Sequence, residues 1–131
     1  MTAEHLKANA ADELARGRAA LAAAEYLLAA DFFYDAASRA YSAVFHFARA
    51  LVWATGDEPR SHQGVAHLLH LHYVRTGKLP PDTDRLYAQL QTFREKSDDT
   101  AEFVLDRDGA TDAVNLSRLL VGRLGALLGQ P

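Results

Sequence analysis

The sequence contains no cysteine, so disulfide bonds and zinc sites built from thiolates are excluded. It also has no apolar run long enough to cross a membrane. The N-terminal stretch is polar and lacks the apolar centre of a secretory signal. We therefore expect a cytoplasmic protein that has no membrane partner.

A strong positive charge is also missing, since the formal net charge is −3. Without a global basic field, any contact with nucleic acid must come from a local patch. β-Branched residues are few, whereas alanine and leucine dominate, and this composition favours helix over strand. A chain of 131 residues suffices for one domain with a core and is too short for two. We predict a single domain over residues 1–131.

Apolar residues recur at helical spacing along most of the chain, and no segment alternates as a strand does. Turn segments that contain glycine or proline separate the helical stretches. The pattern predicts an all-α fold, an up-and-down antiparallel bundle of four to five helices. The predicted helices span about residues 3–30, 31–55, 61–75, 82–98 and 111–128, with N-caps at Asp31, Ser61 and Asp82 or Thr83, and a turn over residues 106–109.

Each predicted helix has one apolar stripe, and together the stripes supply the predicted core. Leu127 in the last helix is expected to face inward with them. Glu13, by contrast, falls on the polar side of the first helix. The predicted core residues are Leu14, Leu21, Tyr41, Val44, Ala48, Leu69, Leu90, Phe93 and Leu120.

The second predicted helix has a polar face that differs from an ordinary outward face, which more often carries glutamate and lysine. Guanidinium groups bind phosphate, and imidazole transfers protons near neutral pH. The pattern points to a binding or catalytic face, and an ordinary solvated face is the alternative. The residues on this face are Asp35, Arg39, Ser42, His46, Arg49 and Trp53.

Four motifs occur in an order and spacing that resembles small stand-alone HEPN-domain proteins of bacteria and archaea. Any one of them is weak, but four in register are fairly specific, and together they cover most of residues 31–99. The resemblance implies a helical bundle that forms homodimers and has a role around nucleotides or RNA. It also implies two roles. Many HEPN proteins are metal-independent endoribonucleases, and many are toxins that a small nucleotidyltransferase encoded beside them neutralises. The motifs are Ser38-Arg39-Ala40-Tyr41 followed by Phe45-His46, then residues 59–65 (PRSHQGV), 76–80 (TGKLP) and 94–98 (REKSD).

Two departures from the HEPN pattern concern catalysis. HEPN ribonucleases carry an arginine that is followed shortly by a histidine, but after Arg94 the corresponding positions hold Asp99, Thr100 and Ala101. A second tyrosine that often follows Tyr41 is replaced here by serine. These losses put ribonuclease activity in doubt and leave the expected fold intact.

The candidate site combines the polar face of the second helix with the arginine of the HEPN motif. Arg94 and His46 are the catalytic candidates, because Arg94 can stabilise a phosphate and His46 can act as base or acid. For Arg94, an ion pair with Asp98 or Asp35 is the structural alternative. The predicted RNA- or nucleotide-binding residues are Arg39, Ser42, Arg49 and Asp98.

Two readings of the whole chain follow from this site. In the first, the protein is a HEPN-like homodimer that binds RNA or a nucleotide, as an endoribonuclease toxin paired with a nucleotidyltransferase antitoxin. In the second, it is a non-catalytic helical interaction module that partners a nucleotidyltransferase or another protein.

Other histidines and aromatic residues also allow two interpretations each. His67 and His70 lie three apart on one predicted helix, a spacing that can bind zinc, but no carboxylate nearby has ligand spacing. We therefore predict no metal and no cofactor. His62 follows Ser61 at a helix start, which either binds a phosphate or is simply capped. The aromatic run within residues 26–41 is either a platform for stacked bases or, as we expect, packing in the core and at a dimer interface.

Overall fold

The computed structural model of the protein describes residues 2–99 and 105–129. Within these ranges the chain forms five α-helices and no strand, which confirms the predicted all-α bundle. No helix in the same ranges is long and apolar enough to cross a membrane. The helices are α1 (Ala3–Ala29), α2 (Phe33–Trp53), α3 (His62–Leu69), α4 (Thr83–Asp99) and α5 (Arg107–Leu127), and a π-helical turn, His70–Val74, continues α3.

The second helix lies at the centre of the bundle and packs against all four other helices. Its most extensive interface is with α1, where small side chains let the two backbones approach closely. At Gly17 of α1, an added Cβ would lie only 2.5 Å from the ring of Phe47 and 3.2 Å from the carbonyl oxygen of Ala43. Glycine is therefore required at this crossing, because any side chain would push α1 away from α2.

Most of the predicted core is confirmed. Leu21 and Phe93 are half-buried, and all the other predicted core residues are buried. The inward orientation predicted for Leu127 is wrong, since this side chain is 40% exposed. It is the last residue of α5, and the buried positions of this turn are Leu124 and Gly125 instead.

The connection between α1 and α2 differs from the prediction. Asp31 does not cap α2 but ends α1, with a left-handed φ of +67°. Its amide donates to the carbonyl of Leu28 at 3.1 Å, and the amide of Phe32 donates to the carbonyl of Leu27 at 2.8 Å. These two hydrogen bonds form a Schellman motif, and aspartate adopts its left-handed position more readily than most residues. The Asp31 carboxylate pairs with Arg107 at the start of α5.

The start of α5 differs from the prediction, whereas the start of α3 agrees with it. Residues 106–109 are not a turn, because Asp106 is the N-cap of α5 and accepts a hydrogen bond from the amide of Gly109 at 2.9 Å. The predicted cap at Ser61 is confirmed, since its hydroxyl accepts from the amide of Gly64 at 2.9 Å. This cap fixes the first position of α3, which His62 occupies.

The aromatic side chains near the α1–α2 corner are mostly outside the core. Tyr26 is 75% exposed, Phe32 55% and Tyr34 42%, so the expectation of core packing is wrong for these three. They lie around the Schellman corner, where the hydroxyl of Tyr34 accepts a hydrogen bond from the amide of Leu105 at 3.3 Å. Tyr41, further along α2, is buried as expected.

Candidate nucleic-acid site

The imidazole of His46 is held by a buried carboxylate. Its Nδ1 lies 2.6 Å from Oε2 of Glu13, whose side chain is only 5% exposed. Because an ionised carboxylate can only accept, Nδ1 carries the proton that it donates to Glu13. The other ring nitrogen, Nε2, is therefore the one available to a ligand. The prediction that Glu13 faces outward is wrong. The polar face of α2 packs against α1, and His46 and Arg49 on that face contact Glu13.

Arg49 follows His46 by one helical turn and is held by the same carboxylate. Its Nη1 lies 3.9 Å from Oε1 of Glu13, and its guanidinium carbon lies 4.5 Å from the centre of the Trp53 ring. The Nε of Arg49 is buried and has no hydrogen-bond partner in the described part of the chain. The guanidinium is thus fixed by an acid and an indole while one donor remains unsatisfied.

His62 reaches the same region from the start of α3. Its ring stacks on Phe45 with the ring centres 4.0 Å apart and the planes 13° from parallel. Its Nδ1 lies 2.8 Å from the hydroxyl of Tyr41. Loss of water around the ring lowers the pKa of His62, and the positive charges of Arg94, Arg49 and His46 act in the same direction. His62 therefore favours its neutral form more than a free histidine does.

Arg94, on α4, lies over the ring of Tyr41. Its guanidinium carbon lies 5.2 Å from the centre of the Tyr41 ring, within cation–π range. Burial raises the pKa of Tyr41, although the charge of Arg94 opposes this effect. The phenol therefore stays protonated at neutral pH, and its hydroxyl is available as a hydrogen-bond partner for His62.

The remaining residues predicted on α2 line a separate but adjoining groove. Arg39, Ser42 and His46 face Arg16 of α1 across a hollow of about 520 Å³. The hydroxyl of Ser42 donates to the carbonyl oxygen of Ser38 at 3.1 Å, and Arg39 is exposed. His46 links this groove to the side chains around Phe45. It lines the groove and also makes an edge contact with the Phe45 ring.

We call six of these residues the Phe45 cluster. The structure brings Arg94, His46 and Arg49 into it, and leaves Arg39 and Ser42 in the α1–α2 groove beside it. The side chain of Asp98 lies outside the residues that the structure describes. The members of the Phe45 cluster are Tyr41, Phe45, His46, Arg49, His62 and Arg94.

Two other histidines of the α3 region each pair with a single carboxylate. His70 Nδ1 lies 2.5 Å from Asp84, and His72 Nε2 lies 2.9 Å from Asp57. Over residues 2–99 and 105–129, no group of three or more possible ligands could hold a metal ion. Within these ranges, therefore, no third ligand joins His67 and His70, the pair whose spacing can bind zinc.

Comparison with known proteins bears on the identity of this fold. A family model described as the HEPN domain matches residues 10–126. The chain belongs to the HEPN family. Membership of this family agrees with the helical bundle described above.

Two relatives of this HEPN chain come from archaea. The "UPF0332 protein PH1297" of Pyrococcus horikoshii is 41% identical over 58 residues, which cover 44% of this chain and 38% of that protein. A Methanocaldococcus jannaschii protein named "Putative toxin MJ0605" is 33% identical over 82 residues, which cover 63% of this chain and 61% of that protein. The matches thus span less than two thirds of the length of either relative.

Two residues of this region, Glu13 and His62, are not among the predicted catalytic or binding residues. Glu13 lies on the polar side of α1, and only the packing of α1 against α2 shows that this side meets His46. His62 was seen at a helix start within the motif of residues 59–65, and that motif was the signal that could have singled it out. Its position against Phe45 depends on the path of the loop between α2 and α3, which periodicity does not give.

Proposed function

We propose that this HEPN domain binds single-stranded RNA through the Phe45 cluster. The observation that carries the proposal is the convergence of one guanidinium and two imidazoles on the Phe45 ring, with a second guanidinium over the neighbouring Tyr41 ring, in a chain whose net charge is −3. Arg94, Arg49 and His46 all act on His62 as nearby positive charges, so these three groups form one local positive region. Such a region attracts an anion although the whole chain does not.

Phosphate is the anion that best fits the groups in the Phe45 cluster. Guanidinium donors bind phosphate oxygens in pairs, and the buried Nε of Arg49 has an unmet hydrogen bond to offer. Glu13 offsets part of this charge and at the same time keeps Arg49 and His46 in place. A phosphodiester at this point would satisfy the one Arg49 donor that has no partner in the described part of the chain.

A base can be held beside the phosphate by the exposed His62 ring. One face of this imidazole covers Phe45, and the residue remains open to solvent. Aromatic and imidazole faces stack on unpaired bases and tolerate any base, because every base has a π-face. The adjoining groove of Arg16 and Arg39 continues the positive surface along α1 and α2. These features favour a single strand over a duplex, whose bases are already stacked.

We further propose that the protein acts as a homodimeric toxin, neutralised by a nucleotidyltransferase encoded beside it. The name of the Methanocaldococcus jannaschii relative and the HEPN family support this role. Light scattering should give twice the chain mass of 14.3 kDa, and a monomer at micromolar concentration would contradict the homodimer. Expression without a partner should arrest growth, and co-expression of the neighbouring nucleotidyltransferase should restore it.

RNA titration tests the binding site directly. Arg49→Ala with Arg94→Ala is compared with wild type and with a charge-matched control, Arg75→Ala with Arg85→Ala, which removes two exposed arginines outside the Phe45 cluster. Dissociation constants for a fluorescent single-stranded oligonucleotide are measured at several salt concentrations. Removing two phosphate contacts should reduce the slope of log K against log salt by about 1.4, since each contact to a single strand contributes about 0.7.

The control decides how the result is interpreted. If the control pair keeps the wild-type slope and the cluster pair loses it, the Phe45 cluster holds the phosphates. Equal affinity and slope in wild type and the cluster pair would refute this site. Absence of RNA binding by wild type would refute the function itself and favour the alternative, a non-catalytic module that partners a nucleotidyltransferase or another protein.

A further inference from the structure

We propose that a single RNA strand runs from the Phe45 cluster into the α1–α2 groove, where Arg16 and Arg39 hold further phosphates of the same strand. This inference rests on the proposed binding of RNA at the Phe45 cluster. It identifies the ligand as an oligonucleotide, because a mononucleotide is too short to reach both places. It also assigns a binding role to α1, since all the residues that line the groove belong to α1 or α2.

The α1–α2 groove consists of two hollows that share Arg39 and Ser42. The first, of about 520 Å³, also has Arg16 and His46 on its walls, and three alanines of α1 leave it wide. The second, of about 450 Å³, continues past Arg39 to Asp35 near the start of α2. Together the two hollows form an elongated depression between the helices, which suits a chain-like ligand better than a compact anion.

The guanidiniums in this groove are not neutralised by the protein. Arg16 and Arg39 are both exposed, and neither makes an ion pair or a hydrogen bond in the described part of the chain. By contrast, Arg107, Arg118 and Arg123 each pair with a carboxylate. An unpaired guanidinium offers all its donors to a ligand, and its planar group matches the oxygens of a phosphate.

His46 makes the groove continuous with the Phe45 cluster. Its ring lines the first hollow and lies 5.6 Å from the centre of the Phe45 ring. The carboxylate that holds His46, that of Glu13, is only 5% exposed, and the guanidinium of Arg49 lies 3.9 Å from it. A strand that leaves the Phe45 cluster therefore passes His46 and enters the groove with little repulsion from Glu13.

The length of the strand follows from the geometry of α2. Arg39 and Arg49 are ten positions apart on this helix, which corresponds to about 15 Å along its axis. A stacked strand advances about 3.4 Å per nucleotide, so about four nucleotides cover this distance. Sites of about four nucleotides or more are common in proteins that bind single strands. Asp35 carries the opposite charge, so the row of phosphates should end near Arg39.

The test measures how RNA binding depends on the length of the strand. It uses the full chain and two fluorescent single-stranded RNAs, a dinucleotide and an octanucleotide. The groove pair, Arg16→Ala with Arg39→Ala, is compared with wild type and with the cluster pair and control pair of the RNA titration. Alanine is the best helix former, so both groove substitutions preserve their helices, and circular dichroism with thermal unfolding checks that each variant is folded.

We expect wild type and the control pair to bind the octanucleotide more tightly than the dinucleotide, with one octanucleotide per protomer. The groove pair should bind the octanucleotide about tenfold or more less tightly at low salt, because charged hydrogen bonds are lost. Its slope of log K against log salt should fall by about 1.4. Combining the groove and cluster pairs should lower the slope by about 2.8, since the two pairs hold different phosphates.

Three results would overturn the path along the groove and leave RNA binding at the Phe45 cluster intact. One is wild-type affinity and slope of the groove pair for the octanucleotide, while the cluster pair loses both. Another is equal affinity of wild type for the two lengths of RNA. The third is binding of two octanucleotides per protomer, which would make the groove and the cluster separate sites.

A different result would remove both proposals. If wild type binds neither RNA, the proposed function fails, and the path along the groove fails with it.

Discussion

The close crossing of α1 and α2 at Gly17 can be tested with a pair of glycine substitutions. A Cβ at Gly17 would lie 2.5 and 2.6 Å from two ring atoms of Phe47, whereas a Cβ at Gly122 in α5 would have no neighbour within 4 Å. Ordinary contacts between carbon atoms are about 3.5–4.0 Å, so the Phe47 ring must move by about 1 Å. Phe47 is only 2% exposed, and its surroundings resist that movement.

The two substitutions share one effect and differ in another. In both helices, replacing glycine by alanine should contribute about 0.5–1 kcal/mol through helix propensity. Only Gly17→Ala adds the cost of overpacking, about 1–3 kcal/mol. The propensity contribution cancels in the difference between the two variants, so that difference isolates the packing cost. Gly122→Ala should be more stable than wild type, and Gly17→Ala less stable.

Urea unfolding followed by circular dichroism measures this difference. With an m-value of about 1.5 kcal/mol per molar urea, a difference of about 2 kcal/mol separates the two midpoints by more than about 1 M. All variants are measured at one protein concentration, because association would make the midpoint depend on it. Equal stabilisation by the two substitutions would refute the close approach of α1 to α2.

Two further predictions concern the core and the site. Leu90→Ala removes a fully buried side chain and should destabilise the protein by about 2–5 kcal/mol in urea unfolding, while Leu127→Ala at an exposed position should change stability by less than about 0.5 kcal/mol. The imidazole of His62 should titrate in NMR spectra with a midpoint below the value of about 6.5 found in short peptides. Because the native state then binds fewer protons than the unfolded state, the contribution of His62 to stability is complete above pH 6.5 and is lost as the pH falls through its lowered pKa. A midpoint at or above the peptide value would contradict this environment, and the pH effect should disappear in His62→Gln.

The fold was predictable because helical periodicity is strong in every element, and the errors lie where one residue suits two local roles. Aspartate is favoured both as an N-cap and in left-handed positions, so Asp31 was predicted to begin α2 when it ends α1. The glycine at position 109 disguised the first turn of α5, although Asp106 before it is an effective cap. Periodicity also placed Glu13 on a polar face, but which helix would cover that face depends on tertiary packing.

The candidate site was predictable for the residues that share α2 and for Arg94, which a motif marks. The face of α2 that carries Arg39, His46 and Arg49 follows directly from their spacing, and Arg94 follows from the HEPN motif. His62 comes from another helix and joins them through Phe45, a contact that spacing along the chain does not show. The separation of Arg39 from Arg94 also depends on packing, since Arg94 lies over Tyr41 whereas Arg39 lines the groove between α1 and α2.

The short corner at Asp31 has a consequence for the order in which the site is assembled. Only residues 30–32 separate α1 from α2, so closing this hairpin costs little chain entropy, whereas α5 meets α2 through contacts such as Ser117 to Ala40, 77 positions apart. During synthesis the N-terminal hairpin is complete first. Glu13 and His46 are then already together, and Arg94 arrives only with α4. A newly made chain therefore completes the Phe45 cluster late, once α4 has been synthesised.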